Sequence, residues 1–87
     1  MTLQQLRYAV EVAKTGSITA AAKNLYMGQP NLSKSIRELE AELGITLFER
    51  TARGVAPTKN GEDFLGYARS IIAQMESLET MFGSHTE

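Results

Sequence analysis

Glycines at positions 16, 28 and 44 cut the first half of this chain into three segments of helix length, each with apolar residues at helical spacing. That punctuation constrains the fold more than any other feature, because it demands short helices joined by tight corners. Leu3, Leu6, Val10 and Ala13 share one face of a helix predicted from Thr2 to Lys14. Thr2 and Gln5 are placed as a capping box for its free N–H groups, and Gly16 as its stop. Ser17 suits the N-cap of a second, short helix. Its Ala20, Ala21 and Ala22 let a neighbour approach closely, and Leu25 follows before Tyr26-Met27-Gly28 breaks the pattern. A third helix is predicted from about Gln29 to Leu43. Pro30 falls in its first turn, where a missing N–H costs nothing. Leu32, Ile36, Leu39 and Leu43 form its buried stripe, Gly44 ends it, and Ile45 packs back over the last turn.

Beyond Gly44 the pattern changes. Ile45 to Arg50 is short and partly alternating, which predicts a strand. Thr51 to Val55 contains Arg53-Gly54, a turn signal, and Ala56-Pro57 returns as an edge strand, where proline is tolerated. A long helix is then predicted from Thr58, its N-cap, to about Phe82, with Glu62 and Asp63 complementing the positive end of its dipole. Phe64, Ala68, Ile71, Met75, Leu78 and Phe82 are separated alternately by four and three residues, a heptad seam. Leu65 and Ile72 widen the stripe at one end and could equally pack on the head of the same chain. A helix of about 25 residues is roughly 37 Å long, more than a small head covers. Pairing with a second copy is therefore expected, and an amphipathic helix folded back on its own domain is the alternative. The seam leaves helix direction open. Residues 83–87 form a polar tail expected to fray.

The expected architecture is mainly α: a three-helix head with a small β wing over residues 1–58, followed by a linker helix and tail over residues 59–87. At 87 residues this is one small core at most. A hydrophobic share of 43% and a charged share of 22% argue against disorder. There is no cysteine, which excludes disulfides and thiolate chemistry and fits a reducing cytoplasm. The first residues lack the basic and apolar segments of a signal peptide, and no apolar run approaches bilayer length. The formal net charge of −1 argues weakly against a nucleic-acid partner, but its distribution says more. Residues 1–59 hold eight Lys or Arg against five Asp or Glu, whereas residues 60–87 hold Arg69 against five acidic residues. A basic head is followed by an acidic segment.

The second and third helices with their short connection form a helix-turn-helix candidate, which requires a second helix presenting a polar face to the major groove. Opposite the apolar stripe of the third helix lie Pro30, Ser33, Lys34 and Arg37, with Gln29 and Asn31 at its amino-terminal end. Gln and Asn pair bidentately with adenine, and Arg or Lys with guanine. An ordinary solvated helix face would carry similar residues. The hairpin adds weight: Arg50 and Arg53 flank it, its tip is expected at Gly54, and an arginine there suits a narrow minor groove. Leu47 and Phe48 read as core.

The run Ser17-Ile18-Thr19-Ala20-Ala21-Ala22-Lys23-Asn24-Leu25, followed by Gln29-Pro30-Asn31-Leu32-Ser33-Lys34-Ser35-Ile36-Arg37-Glu38-Leu39-Glu40, resembles the helix-turn-helix signature of LysR-type bacterial regulators. Leu43-Gly44-Ile45-Thr46-Leu47-Phe48-Glu49-Arg50, Arg53-Gly54-Val55 and Thr58-Lys59-Asn60-Gly61 are similar to that family's wing and linker entry. The resemblance implies a winged helix-turn-helix that binds double-stranded DNA and regulates transcription in the bacterial cytoplasm. It also implies an antiparallel homodimer through the linker helix, with a tetramer as a further option in a longer protein. By the same resemblance Gln29, Pro30, Asn31, Ser33, Lys34 and Arg37 lie near the major groove, Arg53 in the minor groove, and Ser17, Thr19 and Arg50 near phosphate. Two positions depart from the family pattern. Gly28 stands where Ser or Thr is usual, which removes a side-chain cap, and Asn31 stands where a small or apolar residue is common. The family's chains continue into a ligand-sensing domain, so a fragment is expected here, with a natural short form as the alternative.

Two other functional classes fit the sequence less well. An enzyme is disfavoured, since the sole histidine, His85, sits in the tail and there is neither cysteine nor a glycine-rich phosphate loop. No metal site or cofactor is expected. A winged helix that serves only protein contacts would more often carry apolar residues where Ser33, Lys34 and Arg37 stand.

Overall fold

The computed structural model describes residues 1–83. The elements run α1 (Leu3–Thr15), α2 (Ile18–Asn24), α3 (Gln29–Leu43), β1 (Phe48–Thr51), β2 (Gly54–Pro57) and α4 (Lys59–Leu78), with a π-helical continuation over Glu79–Gly83. His85 and the rest of the tail over 84–87 lie outside the described residues.

Side chains at the helix starts do the capping. The Thr2 hydroxyl accepts the Gln5 N–H at 3.1 Å while the Gln5 side chain accepts the Thr2 N–H at 3.0 Å, a complete capping box. Ser17 accepts the Ala20 N–H at 3.0 Å and opens α2. Gly28 opens α3 with no side-chain cap, and Pro30 in the first turn leaves one N–H fewer to satisfy. Thr58 opens α4 by accepting the Gly61 N–H at 2.9 Å. Gly16 and Gly44 close α1 and α3 in left-handed backbone, with the Gly44 N–H returning to the Glu40 carbonyl at 2.8 Å.

The helices enclose one core of Ala9, Val12, Ala21, Ala22, Leu32, Ile36, Leu39, Leu47 and Leu65. Each large apolar side chain buried there contributes roughly 1.5–3 kcal/mol relative to exposure. The alanines of α2 are buried as expected, and so are Leu32, Ile36 and Leu39 of α3, while Leu43 is half-buried. In α1 the buried line is Leu6, Ala9 and Val12, whereas the expected Leu3, Val10 and Ala13 are only half-buried. The rotation arises because α1 packs against α2, α3 and α4 at once, and its small Ala9 is fully buried.

The hairpin differs in detail from its expected form. Pairing begins at Phe48 rather than Ile45, because Leu47 turns inward and is 1% exposed. The antiparallel register pairs Phe48 with Pro57, Arg50 with Val55 and Thr51 with Gly54. The tip is therefore Ala52-Arg53, and Gly54 opens the return strand. The reason is a close approach. Gly54 has φ 151° and lies so near the Gly16 carbonyl oxygen that any Cβ would overlap it, and the Val55 N–H bonds that same oxygen at 3.1 Å. The wing is thus strapped to the corner between α1 and α2.

Helix α4 lies across α1. Leu65 and Ala68 are buried in the chain's own head, with Phe64 packed beside them and Ile72 and Met75 half-buried. The heptad seam is consequently divided. Phe64 and Ala68 are occupied within the chain, whereas Ile71, Leu78 and Phe82 are 49%, 56% and 68% exposed. Tyr67 and Met81, outside the expected seam, join that exposed face. An α-helix turns 100° per residue, so a strict 3.5-residue repeat drifts around its surface unless a partner supercoils it.

Candidate nucleic-acid interface

With Leu32, Ile36 and Leu39 turned inward, the opposite side of α3 faces solvent, and it carries Gln29, Pro30, Asn31, Lys34 and Arg37, all exposed, with Ser33 half-buried. Among the described residues Asn31 makes no side-chain hydrogen bond. The Gln29 amide donates to the Ser33 hydroxyl at 3.0 Å, one turn along, and so holds both side chains in place before anything binds.

Beside the amino-terminal end of α3 runs an open cleft. Its walls are Ser17, Ile18 and Thr19 of the α2 start, Gln29 and Ser33 of α3, and Arg50, Gly54 and Val55 of the wing. Five of the ten residues expected to meet DNA are brought together there: Ser17, Thr19, Gln29, Ser33 and Arg50. The Ser17 hydroxyl already caps α2 by accepting one N–H, which leaves its O–H free to donate to an external acceptor. Pro30, Asn31, Lys34 and Arg37 lie along the same helix outside this cleft. Arg53 stands apart at the wing tip, where its backbone N–H donates to the Thr51 hydroxyl at 3.3 Å and its side chain is exposed. Lys34, Arg37, Arg50 and Arg53 take part in no ion pair among the described residues, so four cations are available to an external anion.

The family model for bacterial regulatory helix-turn-helix proteins of the lysR family matches residues 3–62. The chain belongs to that family. Among curated relatives of this LysR-family chain, the transcriptional regulator ClcR of Pseudomonas putida is 47% identical over 72 residues, covering 83% of this chain and 24% of the relative. The nitrogen assimilation regulatory protein nac of Klebsiella aerogenes is 40% identical over 79 residues, covering 91% of this chain and 26% of that protein. The chain thus spans about a quarter to a third of the length of the curated relatives it matches. The solved complex of the BenM DBD with catB site 1 DNA is similar at TM-score 0.91 and 40% identity, covering 97% of this chain and 94% of that one. The crystal structure of CbnR, a LysR family transcriptional regulator, is similar at TM-score 0.87 and 38% identity over 93% of this chain and 28% of that one.

Three features of this LysR-family head escaped sequence reasoning. Tyr26, in the turn of the helix-turn-helix, has φ 56° and is 96% exposed. A tyrosine in left-handed backbone is uncommon, and no residue pattern signals it. Glu40, to which the sequence assigned no role, accepts the backbone N–H groups of Leu47 and Phe48. Gly61 sits against the Leu47 carbonyl so closely that no Cβ would fit. Its place three residues after the N-cap Thr58 was the available signal.

Proposed function

We propose that this chain is the DNA-reading head of a transcription regulator, with α3 entering the major groove and Arg53 of the wing entering the adjacent minor groove. The observation that carries this reading is the convergence of the α3 polar face, the α2 start and the wing on one side of the head, bearing four cations that have no ion-pair partner among the described residues. Gln29, Asn31, Ser33, Lys34 and Arg37 supply hydrogen bonds to base edges, and Ser17, Thr19 and Arg50 supply phosphate contacts. The solved BenM and CbnR relatives complexed with DNA support the assignment. The work is binding rather than catalysis, in keeping with relatives that are transcriptional regulators. Neither metal nor cofactor enters it. Family membership supports a bacterial cytoplasmic setting, and among the described residues no helix is long and apolar enough to cross a membrane.

The same reading includes a homodimer through α4. Tyr67, Ile71, Leu78, Met81 and Phe82 present an apolar face that one copy leaves in water. Two heads joined this way read a two-fold site. A tetramer belongs to a longer protein.

The test is binding of a fluorescent duplex across a salt series. Each phosphate neutralised contributes roughly −0.9 to the slope of log affinity against log salt, so four to six contacts give a slope of about −4 to −5. Affinity that stays constant from low to moderate salt overturns the proposal and favours a module for protein contacts.

A further inference from the structure

We infer that Glu40 is a positioning residue for DNA reading, setting the wing against the recognition helix through the backbone of Leu47. The inference rests on the DNA-reading function proposed above.

Glu40 lies in the last turns of α3, beyond the residues assigned to base contact. Its Oε2 accepts the Leu47 N–H at 2.7 Å and the Phe48 N–H at 3.3 Å, where β1 begins. No cation pairs with this carboxylate among the described residues, so its charge is spent on two backbone donors. Neighbouring Glu38 and Glu42 are exposed and make no such bond to the hairpin.

The other side of Leu47 is equally engaged. Its carbonyl accepts the Thr58 N–H at 2.9 Å, and the Thr58 hydroxyl donates to the Thr46 carbonyl at 2.5 Å. Gly61 then packs its bare Cα against the Leu47 carbonyl. One peptide segment thereby joins the recognition helix, the root of the wing and the start of α4. At its far end the hairpin is held by the Val55 bond to Gly16. Two attachments define the direction of a rigid hairpin. Without Glu40 the wing keeps its tip strap and loses the bond that fixes its root to α3.

Because both bonds use one oxygen, Glu40→Gln can keep them through its amide carbonyl, whereas Glu40→Ala and the shorter Glu40→Asp cannot. The experiment has two arms on the 87-residue chain. Amide hydrogen exchange should show protection at Leu47 and Phe48 falling about tenfold or more in the Ala and Asp variants, with the α3 core protected and the Gln variant near wild type. Binding to duplexes that vary either the central bases or the A·T content of the flanks should show flank preference lost in Ala and Asp, central-base preference kept, and both kept in Gln. A uniform loss across all duplexes, or unchanged flank preference in Glu40→Ala and Glu40→Asp, overturns the inference. So does a Gln variant that behaves like Ala. Should Glu40→Ala fail to fold, the Asp and Gln variants decide. Should the wild type fail to bind duplex DNA, the proposed function falls, and the exchange arm still reports whether Glu40 holds the root of the wing.

Discussion

Tyr26 concentrates a conflict between backbone and side chain. Its φ of 56° puts an L-residue with a bulky Cβ substituent in the left-handed region, at a cost of roughly 1–2 kcal/mol. The ring, 96% exposed, gains almost nothing from packing within the chain. Asparagine tolerates this backbone far better. Tyr26→Asn should therefore raise stability by about 1 kcal/mol, read as a higher urea midpoint at unchanged slope. An unchanged or lower midpoint would show that the ring stabilises the folded chain by contacts beyond those of its own turn. Gly61 shows the opposite case, a residue whose lack of a side chain is the contribution. Gly61→Ala pushes a methyl into the Leu47 backbone, and overpacking of this kind costs about 1–3 kcal/mol. Gly66, five residues along the same helix, has open space where a Cβ would stand. Gly66→Ala should stabilise by up to about 1 kcal/mol from helix propensity. Denaturation of the two variants side by side checks the contrast, and equal signs would refute it.

At the scale of elements, α3 and the wing divide the proposed reading of DNA. Lys34 lies exposed on α3, so Lys34→Ala should weaken binding and relax base preference at one position by about 1–3 kcal/mol. Arg53 stands on a two-residue tip, and Arg53→Ala should chiefly lose preference for A·T-rich flanks, where a narrow minor groove attracts arginine. Affinity measured over a panel of duplexes checks both. Equal losses on every duplex, for both variants, would reduce Lys34 and Arg53 to phosphate contacts. These elements were legible in the sequence because their determinants are local. Thr2, Ser17 and Thr58 cap their helices from adjacent positions, and Gly16 and Gly44 stop theirs. The hairpin was less legible. Its register depends on Gly54 meeting Gly16, residues far apart in the chain, and on Glu40 meeting Leu47 across the corner at Gly44.

The whole molecule is a basic head on an acidic helix, 46 Å along its longest axis and 25 Å and 21 Å across. That shape keeps the negative charge of Glu76 and Glu79 on the extending helix while Lys34, Arg37, Arg50 and Arg53 stay on the head. Arg7 bridges to Glu76 at 3.7 Å where head and helix meet, an exposed pair worth little by itself. The apolar face beyond this point gives the proposed dimer its test. Ile71 and Leu78 are exposed in a single chain, so Ile71→Asp with Leu78→Asp should leave the head folded and yield a monomer by sedimentation equilibrium at micromolar concentration. Leu65→Asp, by contrast, places a charge in the core and should unfold the head. A monomeric wild type, or a double variant that stays dimeric, would refute pairing through this face.

The sequence by itself determined the number and order of the helices, their caps, the hairpin, and the polar side of α3. Each is set by residues within a turn or two of one another, where hydrogen-bonding capacity and apolar spacing act without reference to the rest of the chain. Tertiary structure alone decided which part of the α4 stripe serves the head. Leu65 and Ala68 are drawn onto α1, and Ile71 and Leu78 are left outside, although all four are apolar. It also decided that Glu40, one of three glutamates in alternate positions, is the one beneath the wing. Apolar surface is buried without regard to sequence distance, and a carboxylate bonds whichever donors the fold brings within about 3 Å. Those choices follow from how the helices pack, which no local pattern records.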